Sequence, residues 1–295
     1  MQILKYKQEE LPNEEWIRDY LYYNYKYFND AISILNGSER PKWINELNNV
    51  SNVIAIYAYN NAKILYLQAN EMLNMFRYSP TIVWIDDSTD FSVSNDIKSL
   101  ATFFKGYYWR VPRFNFFEDD IDIYWHNQAI NLSYYHLFEG LDFDQLVMLD
   151  HDIIPFSQYD IPLLNENQLW YGSRGLNDYK DGKVYPWPGF SIFNMRALRK
   201  CKFNFFQDWV RYKDGFEELD TGGAMSKYIN DSNSIVCSCE RYEYENDYFE
   251  IIDNCWLHLR DTSNWSGKEL NKMGLFKELY QNNINFLKNK YKKLT

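Results

Sequence analysis

Four short apolar runs, spaced by helix-length segments, constrain this chain more than anything else in it. Val53 to Tyr59 (VIAIYAY), Thr81 to Ile85 (TIVWI), Tyr107 to Val111 and Gln145 to Leu149 (QLVML) read as strands. Asn61 to Arg77, Asp96 to Phe104 and His126 to Phe138 read as the helices between them. Strands alternating with helices indicate βαβ units and a mainly parallel sheet. Right-handed crossovers then gather the carboxyl ends of the strands on one edge, where open α/β sheets bind ligands. Asn60, Asp86, Asp87, Asp150 and Asp152 follow directly on apolar runs and would meet there. The expected class is α/β, a mainly parallel sheet flanked by helices.

The last run leads into Asp150-His151-Asp152 and then Ile153-Ile154-Pro155. Residues two apart on a strand share a side, so both carboxylates can face one point. Two hard oxygen ligands at a strand end suit Mg²⁺ or Mn²⁺ holding a diphosphate. Asp is also common at strand-to-turn junctions, and the triplet alone leaves both readings open.

Charge and composition narrow the partners. A net charge of -10 argues against nucleic acid, whose binders carry a basic face. It leaves room for a phosphate-bearing substrate whose charge a metal neutralises locally. Aromatics are 19% of the chain, with 26 Tyr and 10 Trp, enough to supply stacking platforms for sugars or to reflect a compositional bias. Cys201, Cys237, Cys239 and Cys255 form neither a zinc pattern nor a secreted disulfide framework, so a reducing cytoplasm is the expected setting. The first residues lack an apolar signal core, and no run approaches the ~20 residues of a membrane span.

With 295 residues the chain can hold one large α/β domain. Residues 1–50 read as an N-terminal helical extension and 51–295 as one catalytic domain, comprising a nucleotide-binding half (51–152), an acceptor-binding half (153–265) and a C-terminal helix (266–295). The extension centres on a helix from Asn13 to Leu35, with Ile17, Leu21, Tyr25, Phe28, Ile32 and Leu35 as its apolar face. Lys268 to Leu294 reads as one helix with a stripe of Met273, Phe276, Tyr280, Leu287, Tyr291 and Leu294. Lys288, Lys290, Lys292 and Lys293 at its end could rest on an anionic membrane or complement the helix dipole.

Four stretches resemble one family. Tyr57-Ala58-Tyr59-Asn60-Asn61, Ile82 to Asp90 (IVWIDDSTD), His126 to Asn131 (HNQAIN) and Asp150-His151-Asp152 stand in the order of signatures in the GT-A-type glycosyltransferases. The group in question is large, inverting and dependent on nucleotide sugars. The second stretch lacks that group's glycine, which leaves open whether Asp86 or Asp87 faces the base. The resemblance implies a Rossmann-like GT-A fold and transfer of a sugar from a UDP- or GDP-sugar to a glycan hydroxyl. It assigns Tyr57, Tyr59, Asn60, Asp86, Asp87, Asn131 and Asp150 to the nucleotide, and Asp150, Asp152 and His258 to a metal. It places Tyr185, Trp187, Gly189 and Asn264 near donor or acceptor sugar, and Asp220 as the base that takes the acceptor proton. Asp220 also suits a plain N-cap for a helix at Ala224 to Ile229, and a lone His such as His258 is often structural. His126 and His136 read as structural, and His151 as pointing away from the metal face. A shell of oxygens with one imidazole favours Mn²⁺ slightly over Mg²⁺. Two other classes fit less well. A sugar nucleotidyltransferase would open with a Gly-rich, basic loop, and a non-catalytic carbohydrate-binding protein needs no D-x-D.

Overall fold

The computed structural model describes residues 14–117, 124–175, 184–212, 215–245, 247–260 and 273–294. After helix α1 (Glu14–Asn36) come β1 (Asn52–Ala58), α2 (Ala62–Met75), β2 (Thr81–Asp86), α3 (Phe91–Phe103), β3 (Tyr107–Arg110), α4 (Trp125–Ser133) and β4 (Gln145–Asp150). The chain then turns at once into β5 (Ile153–Pro155), followed by β6 (Trp170–Arg174), β7 (Pro186–Asn194) and the short helix α5 (Met195–Leu198). A hairpin of β8 (Asp208–Tyr212) and β9 (Gly215–Leu219) leads to α6 (Ser226–Asn230), β10 (Ile235–Val236), β11 (Cys239–Tyr244), β12 (Asp247–Ile252) and β13 (Trp256–His258). Helices α7 (Met273–Asn282) and α8 (Ile284–Lys290) and strand β14 (Lys293–Leu294) close the chain.

The main sheet has seven strands in the order β10-β6-β7-β4-β1-β2-β3. Strands β4, β1, β2 and β3 are mutually parallel, and β7 runs antiparallel between β4 and β6. The expected α/β architecture, a mostly parallel sheet flanked by helices, is what the chain adopts. Period-two geometry explains why its strands are apolar throughout. Val53, Ala55 and Tyr57 of β1 pack with Leu146 and Met148 of β4 on the face that α1 and α4 cover. Ile54, Ile56 and Ala58 face the other way, with Val147 and Leu149, onto Leu65, Ala69 and Met72 of α2 and Ile97 and Ala101 of α3.

A second, antiparallel sheet runs β14-β11-β12-β13-β5. Only His151 and Asp152 separate the end of β4 from the start of its strand β5, so the Asp150-His151-Asp152 triplet carries the joint between the two sheets. Gln68 of α2 holds that joint, its Nε2 donating to the carbonyls of Asp150 and Ile153, each at 2.7 Å. Asp253 and Asn254, both at positive φ (52° and 53°), make the tight turn from β12 to β13. Asn and Asp tolerate that conformation, and the turn sets Glu250 opposite His258 and His258 opposite Ile153.

Three sequence expectations change in detail. The buried face of α1 is Ile17, Tyr20, Asn24, Tyr27, Ala31 and Leu35, a rotation from the expected stripe that leaves Leu21, Tyr25, Phe28 and Ile32 half-buried. The cause is polar: Asn24 Oδ1 accepts the backbone N–H of Tyr124, and the Asn24 carbonyl accepts Gln128 Nε2, so a helix read by apolarity alone is turned the wrong way. The helix expected to run to Phe138 is α-helical to Ser133 and then widens into a π turn over Tyr134–Phe138, with Arg40 donating to the carbonyls of His136 and Leu137. The C-terminal helix is two helices, broken at Asn283 (φ 79°), whose side chain caps the second by accepting from Asn285 and Phe286. Its lysines are engaged: Lys288 and Lys293 with Glu240, Lys290 with Glu278, Lys292 with Glu243. They brace β11 and α7. Among the described residues no helix is long and apolar enough to cross a membrane.

Replacing Gln68 with Met keeps the volume but strips two buried carbonyls of their donor, at about 1–3 kcal/mol each. Chemical denaturation of Gln68→Met should show a loss of at least about 2 kcal/mol. A loss below about 0.5 kcal/mol would mean the joint is held by other contacts.

Candidate active site

The carboxyl ends of β1, β2 and β4 open onto a cavity of about 390 Å³. It is lined by Tyr57, Tyr59, Asp87, the Asp150–Asp152 joint, the start of α4, Trp187, Asp220, Glu250 and His258. Residues scattered over the sequence meet because four parallel strands deliver them to one edge and β5 carries the joint across to β13.

The acidic corner is built on that crossing. His258 Nδ1 lies 2.7 Å from Glu250 Oε2, and His258 Nε2 lies 3.5 Å from Asp152 Oδ1. Arg241 Nε donates to the other Glu250 oxygen at 2.7 Å. Burial disfavours charge on Glu250, yet His258 and Arg241 hold its carboxyl down to about 2. Burial also works against an imidazolium at His258, but Asp152, Glu250 and Asp150 reverse it and raise its affinity for a proton. A carboxylate on Nδ1 fixes the tautomer and turns Nε2 toward the joint, the usual backing of a metal-binding histidine. Trp187 lies over the imidazole at 4.8 Å between ring centroids. Gly189 permits this, because a Cβ there would stand 2.2 Å from the indole.

Asp150 is 19% exposed, and its Oδ1 has no hydrogen-bond partner. Burial, and then Asp152 beside it, push its carboxyl up to about 7. His126 Nε2 stands 3.6 Å from that oxygen. Burial lowers the pKa of His126, against the pull of Asp87, Asp220 and Asp152.

Asp87 accepts Arg113 at 2.8 Å, and the guanidinium lies 4.5 Å over Trp125. Burial raises the Asp87 pKa and Arg113 lowers it, with a net rise. Asp220 Oδ1 accepts the N–H of Thr221 at 2.7 Å and its hydroxyl at 3.3 Å. It caps no helix: the next turn, Gly223–Met225, begins after Gly222, which sits at φ 96° against the Pro186 carbonyl where a Cβ would clash.

The structure thus brings together Tyr57, Tyr59, Asp87, Asp150, Asp152, Trp187, Asp220 and His258. Other expected residues are placed elsewhere. Asp86 is fully buried, accepting Ser88 N–H and Tyr108 hydroxyl, so its carboxylate supports the loop. Asn60, at φ 47°, ties the β1 and β2 loops through Thr89 and Asp90. Asn131 bonds to the Asn127 carbonyl and the Phe205 N–H inside the core. Tyr185 is fully buried against Leu219 and Val210. Gly189 acts through Trp187, and Asn264 lies outside the described residues. His151 lines the cavity but sets Nδ1 3.1 Å from the Tyr57 carbonyl. His136 packs on Trp109 as a core residue.

Sequence reasoning missed Arg113, Tyr124, Trp125, Glu250 and Arg260 and took His126 as structural; all six line the cavity. Glu250 carried a signal, being a carboxylate inside the apolar run Phe249-Glu250-Ile251-Ile252. His126 carried none, because its distance from Asp150 depends on how α4 docks.

No protein-family model matches the chain, and no curated protein matches it. Among solved structures, galactosyltransferase LgtC with donor and acceptor sugar analogues is similar at 16% identity over 51% of this chain and 60% of that one, with a TM-score of 0.36. Glucosyl-3-phosphoglycerate synthase from Mycobacterium tuberculosis is similar at 16% identity over 55% of this chain and 64% of that one, with a TM-score of 0.34. Mannosyltransferase Ktr4p from S. cerevisiae is similar at 11% identity over 66% of this chain and 69% of that one, with a TM-score of 0.37. The chain spans less than two thirds of the first two. Superpositions this loose carry no argument about chemistry, which comes from the residues of the site itself.

Asp150 gives a pH test. Its folded pKa, about 7, exceeds the ordinary 3.8, so the folded state binds the extra proton. Stability contributed by this group is therefore present below pH 4 and is lost as pH rises to 7. Asp150→Asn should melt above the unmodified protein at pH 8 and level with it at pH 4. An equal melting difference at both values would remove the shift.

Proposed function

We propose that this chain is a GT-A-type glycosyltransferase that moves a sugar from a UDP- or GDP-sugar to a glycan hydroxyl, with a divalent metal and with inversion. The observation that carries the reading is the corner where unpartnered Asp150 Oδ1, Asp152 and the Glu250-backed His258 stand together at a parallel-sheet edge. That donor set suits Mn²⁺, or Mg²⁺, held by few protein ligands and completed by substrate phosphate and water. Among the described residues no three His, Cys, Asp or Glu side chains already form a metal cluster, so phosphate oxygens would complete the set. Bound there, a divalent ion would neutralise charge developing on the departing diphosphate.

The chain's own residues divide the remaining work. Asp87, Tyr59, Arg113 and Trp125 line the cavity and would hold the base. Glu250 and Arg241 orient His258. Trp187 offers a ring face to a sugar and shields the imidazole from water. Asp220, which also lines the cavity, would take the acceptor proton as general base, its carboxylate oriented by Thr221. Attack by the acceptor from the side opposite the departing diphosphate would invert the anomeric carbon through an oxocarbenium-like transition state.

Thermal-shift screening of UDP and GDP, each with and without Mn²⁺, should show one nucleotide stabilising the protein only with metal. Turnover should release nucleoside diphosphate; release of pyrophosphate would assign a nucleotidyltransferase instead. Asp152→Asn should lose the metal-dependent shift and at least a hundredfold in transfer, about 2.7 kcal/mol, and unimpaired turnover would take Asp152 out of the site. Asp220→Asn should keep the nucleotide shift and lose transfer by at least about a hundredfold. A loss under tenfold would leave Asp220 as a loop residue.

A further inference from the structure

Asp87 does not meet the cavity alone. Arg113 Nη2 donates to its Oδ1 at 2.8 Å and to its backbone carbonyl at 2.7 Å, so one nitrogen clamps the residue at two points. The guanidinium lies 4.5 Å over the Trp125 ring of α4, and stacking on an indole holds its plane. The backbone of Asp87 is fixed as well, its N–H donating to the carbonyl of Ala58, the last residue of β1, at 3.0 Å. The Asp87 side chain is only 9% exposed, and both residues line the cavity.

Among the described residues Arg113 donates through Nη2 alone, and the Asp87 carboxylate accepts at Oδ1 alone. A guanidinium has five N–H groups, and each carboxylate oxygen can accept. The pair therefore offers a base one donor group beside one uncommitted acceptor, Oδ2. Uracil presents a single N–H between two carbonyls, which this pair matches: Oδ2 accepts the N–H, and a guanidinium N–H donates to a neighbouring carbonyl. Guanine presents a carbonyl, an N–H and an amino group. Its two adjacent donors call for both oxygens of one carboxylate, and Arg113 already holds one of them. Cytosine turns a bare ring nitrogen toward the carboxylate, where two acceptors meet. A polar group buried without its partner is what makes such mismatches costly.

Resting on the glycosyltransferase reading above, we propose that the donor nucleotide is UDP and that Arg113 selects it, by occupying one Asp87 oxygen and offering its own N–H to a uracil carbonyl. Asp87 by itself would discriminate poorly, since its two oxygens side by side suit guanine. Specificity is a difference between two affinities, and Arg113 acts on both, adding a bond for uracil and withholding one from guanine.

Calorimetric titration of the full chain with UDP, GDP, CDP and IDP, each with MnCl₂, reads this choice without turnover. UDP should bind at least tenfold more tightly than GDP or CDP. IDP keeps the two rings of GDP but lacks the 2-amino group, so it should bind at least threefold more tightly than GDP. Arg113→Met should weaken UDP at least tenfold and GDP less than threefold. Melting of the variant checks that it folds, and the four-nucleotide comparison on the unmodified protein needs no variant. GDP binding as tightly as UDP, IDP binding no better than GDP, or equal weakening of UDP and GDP in Arg113→Met would overturn the role of Arg113 and leave the glycosyltransferase reading standing. Failure of all four nucleotides to bind with metal would overturn both.

Discussion

Everything at this site depends on a two-residue joint. Strand β4 ends at Asp150 and β5 begins at Ile153, so the chain passes from a parallel sheet to an antiparallel one across His151 and Asp152. Such a joint exposes backbone carbonyls that neither ladder satisfies, and a buried unsatisfied carbonyl is costly. Gln68 satisfies two of them with one amide group. Because the second sheet is antiparallel, its register then decides which distant residue lies beside Asp152, and that register delivers His258 and, behind it, Glu250. The acidic corner is a by-product of sheet geometry.

The parts of the architecture visible in the sequence were those governed by local rules. Apolar runs of strand length at Val53, Thr81, Tyr107 and Gln145 became strands because both sheet faces are covered, and the polar residues that follow them fell at one edge. The π turn at Tyr134 and the break at Asn283 depend on single contacts, Arg40 on carbonyls and a side-chain cap, and neither has a periodic signature. The face of α1 was misread because Asn24 is buried by its hydrogen bonds, which apolarity cannot register.

At the site itself, residue type was legible and direction was not. Asp86 and Asp87 are adjacent acids after the same strand, yet one supports its own loop and the other lines the cavity with Arg113. Tyr185 and Trp187 lie two apart before one sheet face; Tyr185 is in the core and Trp187 covers His258. The aromatic excess is likewise mostly structural. Trp16, Tyr20 and Trp209 pack α1 on the β8–β9 hairpin, and Tyr134 stacks on Phe203 at 3.9 Å.

Helix α1 looks dispensable on a topology diagram, since no strand of the main sheet pairs with it. Yet its Asn24 accepts the backbone N–H of Tyr124, the residue before α4, and its Tyr27 hydroxyl accepts the N–H of Phe114 on the way from β3 toward that helix. The connection between β3 and α4, whose Arg113 and Tyr124 line the cavity, is thus moored at two points to a segment more than 80 positions earlier in the chain. Any effort to trim, graft or circularly permute this scaffold would have to carry that buttress along, because the cavity's shape is set from behind as much as from within.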